Sequence, residues 1–208
     1  FNLEDIKDKI IGDVGSGTGR ALRVFLKYNP KKIYAIEPSD RGSEKISTNF
    51  KKYSNLSVIK SYAHNFKIDQ LCDVIFSLGV LHHIKEPKDV LVNIKSNLKP
   101  NGKIVIWVYG YENNFSYILI YKALSIITKK LPNFLLNFIS VLLNFMLIPY
   151  ILLCKYFNLP LKTYLINVFS KCGLDKRKEI IFDQLNPTYS KYYKKEEIKK
   201  ELTDAGFV

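Results

Sequence analysis

Residues Asp13-Val14-Gly15-Ser16-Gly17-Thr18-Gly19 set an acid two positions before three glycines spaced as GxGxG. Glycines there permit positive φ and let a ligand approach the backbone. A following helix would offer free N–H groups at its start. A dinucleotide fingerprint, GxGxxG, needs glycine at position 20, where Arg20 stands. The carboxylate of Asp13 repels a pyrophosphate and suits a cationic amino group. The loop therefore speaks for a ligand with an amino-acid moiety and against a nicotinamide dinucleotide. Glu37 follows Gly17 by 20 residues, and a carboxylate there can accept both hydroxyls of a ribose. His82 and His83 form an adjacent pair that titrates near neutral pH. One can act as general base on a hydroxyl or amine; the bland alternative has one capping a helix and the other packing.

These residues need a frame. Five short, β-branched, non-alternating runs read as strands: 9–14, 32–36, 56–60, 72–77 and 103–109. Between them, 19–28, 41–53 and 87–98 read as helices. Such alternation predicts an α/β fold, a Rossmann-like doubly wound, mostly parallel sheet covered on both faces. Its carboxyl edge carries the glycine loop, the end of the second strand and the His82-His83 stretch.

From 131 to 154 there is no charged residue. Asn133, Asn137, Ser140 and Asn144 fall within an arc of about 60° on a helix, and Lys130 joins them. The expectation is an amphipathic helix with a narrow polar stripe and a very wide apolar face, broken or kinked at Pro149. The stretch 116–130 is a weaker version, with Lys122, Ser125 and Lys129 on one side, and the two can pack as a hairpin. Three readings follow: a helical cap completing the core, a membrane-interface or lipid-tail surface, and a transmembrane span. The span is disfavoured because it would interrupt an α/β domain. From 175 the chain is polar again, and 194–205 reads as a helix closed by Gly206 in a left-handed cap. The expected divisions are a core at 1–110, a helical insertion or lid at 111–174, and a return segment with the last core helix at 175–208.

The DVGSGTG loop, the YAIEPS strand end, the CDVIFSLGVLHHI strand and the LKPNGKIVIWVYG turn-and-strand resemble the class I S-adenosylmethionine-dependent methyltransferases. All four stand in that family's order and spacing over about residues 9–110. The resemblance implies a sheet of order 3-2-1-4-5-7-6 and S-adenosylmethionine as cofactor. It also implies that Asp13, Gly15, Ser16, Gly17 and Gly19 hold the methionine part, and that Glu37, with Pro38 beside it, holds the ribose. Ser77 and Leu78 should lie near the cofactor, mainly through backbone. The family often has an acid after the third strand that meets the adenine amino group; Ser61-Tyr62-Ala63 occupies that place, with His64 and Asn65 as possible substitutes. Methyl transfer asks for alignment and desolvation above all, since the sulfonium is already activated.

The FDQLNP tail through Tyr189, Tyr192 and Tyr193, with WVYGYEN and the apolar helices, resembles a bacterial subgroup with a helical insertion after the fifth strand. Its members look like modifiers of glycans or lipid-linked metabolites. SLGV stands where an NPPY-type amino-methylation motif would be. The expected reaction is methyl transfer to an O or N nucleophile of a small-molecule, glycan or lipid-linked acceptor, with nucleic acid set aside. The rival readings are a non-catalytic cofactor- or partner-binding module of the same fold and, disfavoured by Arg20, a NAD-dependent reductase.

Composition bounds the rest. The chain has 208 residues, 47% apolar and 25% charged, which excludes a disordered or collagenous chain and allows one domain with an appendage. The net charge is +13, but 28 lysines stand against 4 arginines and lie scattered, a pattern closer to AT-rich coding than to a phosphate-reading surface, with a functional basic surface for an anionic substrate, lipid or nucleic acid as the alternative. Cys72, Cys154 and Cys172 make neither a disulfide framework nor a zinc pattern, so no metal is expected and a reducing, cytoplasmic setting fits, peripheral at a membrane if the apolar helix faces lipid. No signal peptide opens the chain. It begins with Phe1 and stops at Val208, which suggests a fragment with its last two strands absent or barely started.

Overall fold

The computed structural model describes residues 1–112, 114–128, 130–186 and 189–207, so Lys129, Pro187 and Val208 lie outside the described residues. The chain divides into two compact units, Phe1–Glu112 with Tyr189–Val208, and Asn113–Thr188.

The first unit is built on β1 (Ile10–Val14), β2 (Lys32–Ile36), β3 (Leu56–Ile59), β4 (Cys72–Leu78) and β5 (Leu98–Trp107). Every pairing is parallel and the order is β3-β2-β1-β4-β5. This is the expected Rossmann-like sheet. Strands six and seven do not occur among the described residues; after β5 there is one parallel bridge, Gly110 to Tyr193. Alternate residues feed two cores, which is why the strands read as unbroken apolar runs. Val14, Tyr34, Ile36 and Ile75 pack on one face with α3 (Lys88–Ser96) and α8 (Lys195–Asp204). Ile11, Ile33, Ala35 and Phe76 pack on the other with α1 (Leu22–Phe25) and α2 (Asp40–Asn49). The ladder aligns Val14 with Ile36, Asp13 with Phe76, and Leu78 with Trp107, so the chemistry-bearing residues end on one edge.

Boundaries depart from expectation where turn residues intervene. The helix predicted over 19–28 is only α1 followed by a 3-10 turn, Leu26–Tyr28, stopped by Asn29 in the left-handed region at φ +49°. β5 starts at Leu98 rather than 103, because the Pro100-Asn101-Gly102 turn is absorbed as an irregularity opposite Cys72–Val74. The end of α8 is as read: Gly206 N–H donates to Thr203 O at 2.9 Å and Phe207 N–H to Leu202 O at 3.0 Å, which satisfies two terminal carbonyls.

The second unit holds α4 (Phe115–Thr128), α5 (Asn133–Tyr156), α6 (Lys162–Asn167) and α7 (Leu174–Leu185). Among the described residues α5 packs on α6 and α7, and α4 on α7, rather than α4 and α5 forming a hairpin. α5 passes through Pro149 without ending. Leu136, Ser140, Asn144, Ile151 and Cys154 form one buried stripe on both sides of the proline, and that shared packing holds the helix together where a backbone bond is lost. Two members of the expected polar stripe thus face inward. Ser140 Oγ donates to Leu136 O at 2.7 Å and Asn144 Nδ2 to Leu174 O at 2.9 Å. The broad apolar face is left outside: Phe134, Phe138, Phe145 and Met146 are 59–76% exposed.

Candidate functional site

The loop after β1 needs its glycines. Gly15, Gly17 and Gly19 have φ of +77°, +57° and +84°. At Gly15 a Cβ would also lie 2.3 Å from Val80 Cγ2. Gly15 and Ser16 N–H donate to Ile36 O at 2.8 and 3.1 Å, tying the loop to the end of β2. Gly17 N–H donates to Glu37 Oε2 at 2.8 Å, while Glu37 Oε1 accepts from Ser39 N–H at 3.1 Å and Ser39 Oγ at 2.5 Å. Glu37 is thus fixed by the loop and its own turn, and a carboxylate keeps further acceptor sites for a ribose.

Asp13 is buried, and its Oδ2 has no hydrogen-bond partner. Burial pushes its carboxyl up to about 7; Ser16 pulls the other way and the charge of Glu37 adds to the rise. A buried, unpartnered carboxylate oxygen beneath a glycine loop fits the ammonium of an amino-acid ligand.

A cavity of about 570 Å³ opens at this edge of the sheet. Gly15, Glu37, Pro38, Tyr62, Ala63 and His83 line it. Asp13, Ser16, Gly17, Gly19, Ser77, Leu78 and His82 do not line it. Asp13, Ser16 and Ser77 are buried, and Leu78 ends β4 half-exposed. Tyr62 is exposed, and its ring stacks on His64, centroids 5.7 Å apart, so the place of the family's adenine-reading acid is aromatic.

The two histidines differ. His82 is buried, stacked on Tyr109 at 3.7 Å, and its Nδ1 is unpartnered. Burial, with a smaller push from His83, holds its pKa down at about 4, so it is neutral near pH 7. His83 lines the cavity with its Nδ1 2.9 Å from Tyr189 O. A carbonyl only accepts, so Nδ1 carries a proton, and in the neutral form of the ring the lone pair is on Nε2. The segment holding Tyr189 is fixed by Lys191 N–H donating to His82 O at 2.9 Å and Tyr193 N–H to Tyr109 O at 2.8 Å. Gly79 and Val80, within the stretch expected at the cavity mouth, are in the wall, and sequence reasoning missed Ile84, Lys85 and Val90. Their signal was adjacency: they follow β4 at the edge where ligands bind.

The methyltransferase domain family matches residues 12–106. The YcgJ protein of Bacillus subtilis shares the fold, with a TM-score of 0.50 and 17% identity over 59% of this chain and 56% of that one. Residues 12–106 are therefore a class I methyltransferase domain of the S-adenosylmethionine-dependent kind. More particular are the curated relatives. A tRNA U34 carboxymethyltransferase of Helicobacter pylori strain P12 is 34% identical over 50% of this chain and 42% of its own length. Another of that name, from Campylobacter jejuni, is 31% identical over 50% of this chain and 36% of its own. The chain thus spans less than half the length of these relatives.

These names overturn two expectations. The sequence predicts a small-molecule, glycan or lipid-linked acceptor and sets nucleic acid aside, yet the relatives that match half of this chain are named as tRNA-modifying enzymes. The small-molecule expectation rests on the apolar insertion, which the matched family segment does not include. It also gives little weight to the +13 charge, because lysine rather than arginine supplies it.

The loop gives a direct test. At Gly17 a Cβ meets nothing of the protein within 4 Å, but φ is +57°, which a β-branched residue rarely adopts, so Gly17→Val should strain the loop out of its ligand-holding shape without creating a core clash. Its S-adenosylhomocysteine affinity, measured by calorimetry, should fall at least about tenfold, or about 1.4 kcal/mol. Undiminished binding by the folded variant removes the loop from the site.

Proposed function

We propose that this chain transfers a methyl group to a nucleoside of transfer RNA. The observation that carries the tRNA acceptor is the resemblance of half of this chain to enzymes named tRNA U34 carboxymethyltransferase, and the methyl group follows from the methyltransferase domain match. The net charge of +13 supports a polyanionic substrate. When bound, S-adenosylmethionine supplies a carbon activated by its sulfonium. Asp13 and the Gly15–Gly19 loop would hold its amino-acid end, Glu37 its ribose, and Tyr62 with Ala63 its base. His83 Nε2 takes the proton from the attacking group, oriented by the Nδ1–H bond to Tyr189 O.

The test incubates the full chain with methyl-labelled cofactor and bulk tRNA, followed by digestion to nucleosides. Label in one nucleoside is expected, and His83→Ala should lower the rate by about 10²–10⁴ with cofactor affinity unchanged. Label absent from tRNA overturns the acceptor; an unchanged rate in His83→Ala overturns the base.

The exposed face of α5 favours a peripheral place for the Asn113–Thr188 unit at the cytoplasmic surface of a membrane. α5 is long and apolar enough to cross a bilayer, yet it carries a buried stripe that α6 and α7 cover. Lying in the interface leaves that packing intact, whereas spanning would strip it away.

A further inference from the structure

Trp107 is the only tryptophan in the chain, and it ends β5 beside Leu78 of β4. Its side chain is 55% exposed although it sits among packed aromatic rings. His82 meets it edge-on at 5.9 Å and 81°, and Tyr109 at 5.6 Å and 87°. Tyr109 is itself stacked between His82 at 3.7 Å and Tyr192 at 5.5 Å. Gly79 lies beside the indole. Its N–H donates to Trp107 O at 2.9 Å, and a Cβ there would stand 3.6 Å from Trp107 Cζ3. Gly79 has φ +83° and lines the cavity. His83, also in the cavity wall, touches the same His82 ring at 4.2 Å.

An indole is thus held from two sides, next to Gly79 of the cavity wall, while much of its surface stays open. Leaving so large an apolar plane in water is unfavourable, so a partner that covers it gains free energy. A planar partner gains most, because it can cover the open face of the indole at stacking distance. An enzyme acting on a base within folded RNA must take that base out of its stack and offer a replacement surface.

We propose that Trp107 is the stacking platform for the acceptor nucleobase, with Tyr109 and His82 as positioning residues that hold the indole. The neutrality of His82 suits that role, since a buried imidazolium inside the ring stack would need a counter-charge it lacks. This rests on the RNA reading above and names where the acceptor base is held.

The single tryptophan makes its own reporter. The full chain, saturated with S-adenosylhomocysteine, is titrated with an anticodon stem-loop RNA while Trp107 fluorescence and filter binding are followed together. Quenching should track the binding curve. Trp107→Ala should weaken RNA binding about tenfold and Trp107→Phe by no more than about threefold, because a phenyl ring still stacks. S-adenosylhomocysteine affinity, unchanged in both variants, shows that the domain is folded. RNA that binds without changing Trp107 fluorescence, or that binds Trp107→Ala like the parent, overturns the platform and leaves the RNA reading standing. No filter binding by the parent overturns the RNA reading and the platform with it.

Discussion

S-adenosylhomocysteine affinity should fall about tenfold as the pH drops from 8 to 6, and Asp13→Asn should abolish that dependence. In the ligand-free protein Asp13 titrates at about 7 because burial disfavours its charge. An ammonium against Oδ2 favours the carboxylate, so the bound state holds Asp13 ionised. Below pH 7 the free protein must release a proton before binding, and affinity falls by up to about a factor of ten per pH unit. Above about pH 8 the carboxylate is already formed and the curve flattens. Asparagine is the neutral isostere, so Asp13→Asn should bind weakly at pH 8, by at least about tenfold, and show a flat profile down to pH 6. Calorimetry across pH reads the result. Parallel profiles for parent and variant would take the ammonium away from Asp13.

How much of this was legible in the sequence depends on whether local rules decide the outcome. The five strands were legible because both faces of the sheet are covered, so each strand is a short unbroken apolar run. The glycine loop was legible because only glycine suits three positive φ angles in five residues. Glu37 was placed from spacing alone, and it does meet the loop at Gly17. The His82-Tyr109-Tyr192 stack was not legible, because it joins three segments and a parallel bridge at Gly110 brings the last of them in. Nor was the division of labour between the histidines, since burial and a backbone carbonyl over a hundred residues away separate two adjacent identical side chains. α5 is the sharpest case. Hydrophobic periodicity says which face is apolar and assumes that face points inward. Ser140 and Asn144 escape the assumption because each finds a carbonyl, at Leu136 and Leu174, which lowers the penalty of burying them.

That inversion sets up the other large effect. The parent should co-sediment with vesicles of phosphatidylglycerol and phosphatidylethanolamine, and Phe138→Asp with Leu142→Asp should abolish it. Both side chains are at least half exposed, 64% and 50%, on the face opposite the buried stripe, so aspartate there removes no core contact. Fully burying a phenylalanine or leucine in an apolar phase is worth about 1.5–3 kcal/mol each. Losing two such contacts and adding two anions near anionic headgroups should weaken vesicle binding by at least about a hundredfold. Lys130 and Lys155 lie exposed near the ends of the helix, and a lysine close to such a surface contributes about 1 kcal/mol. Salt should therefore weaken the parent's binding without eliminating it, because screening reaches the lysines and not the apolar contact. Unchanged thermal unfolding of the double variant would show that α5 still packs on α6 and α7. A parent that stays in the supernatant, or a double variant that sediments with it, would mean that this face meets something other than lipid.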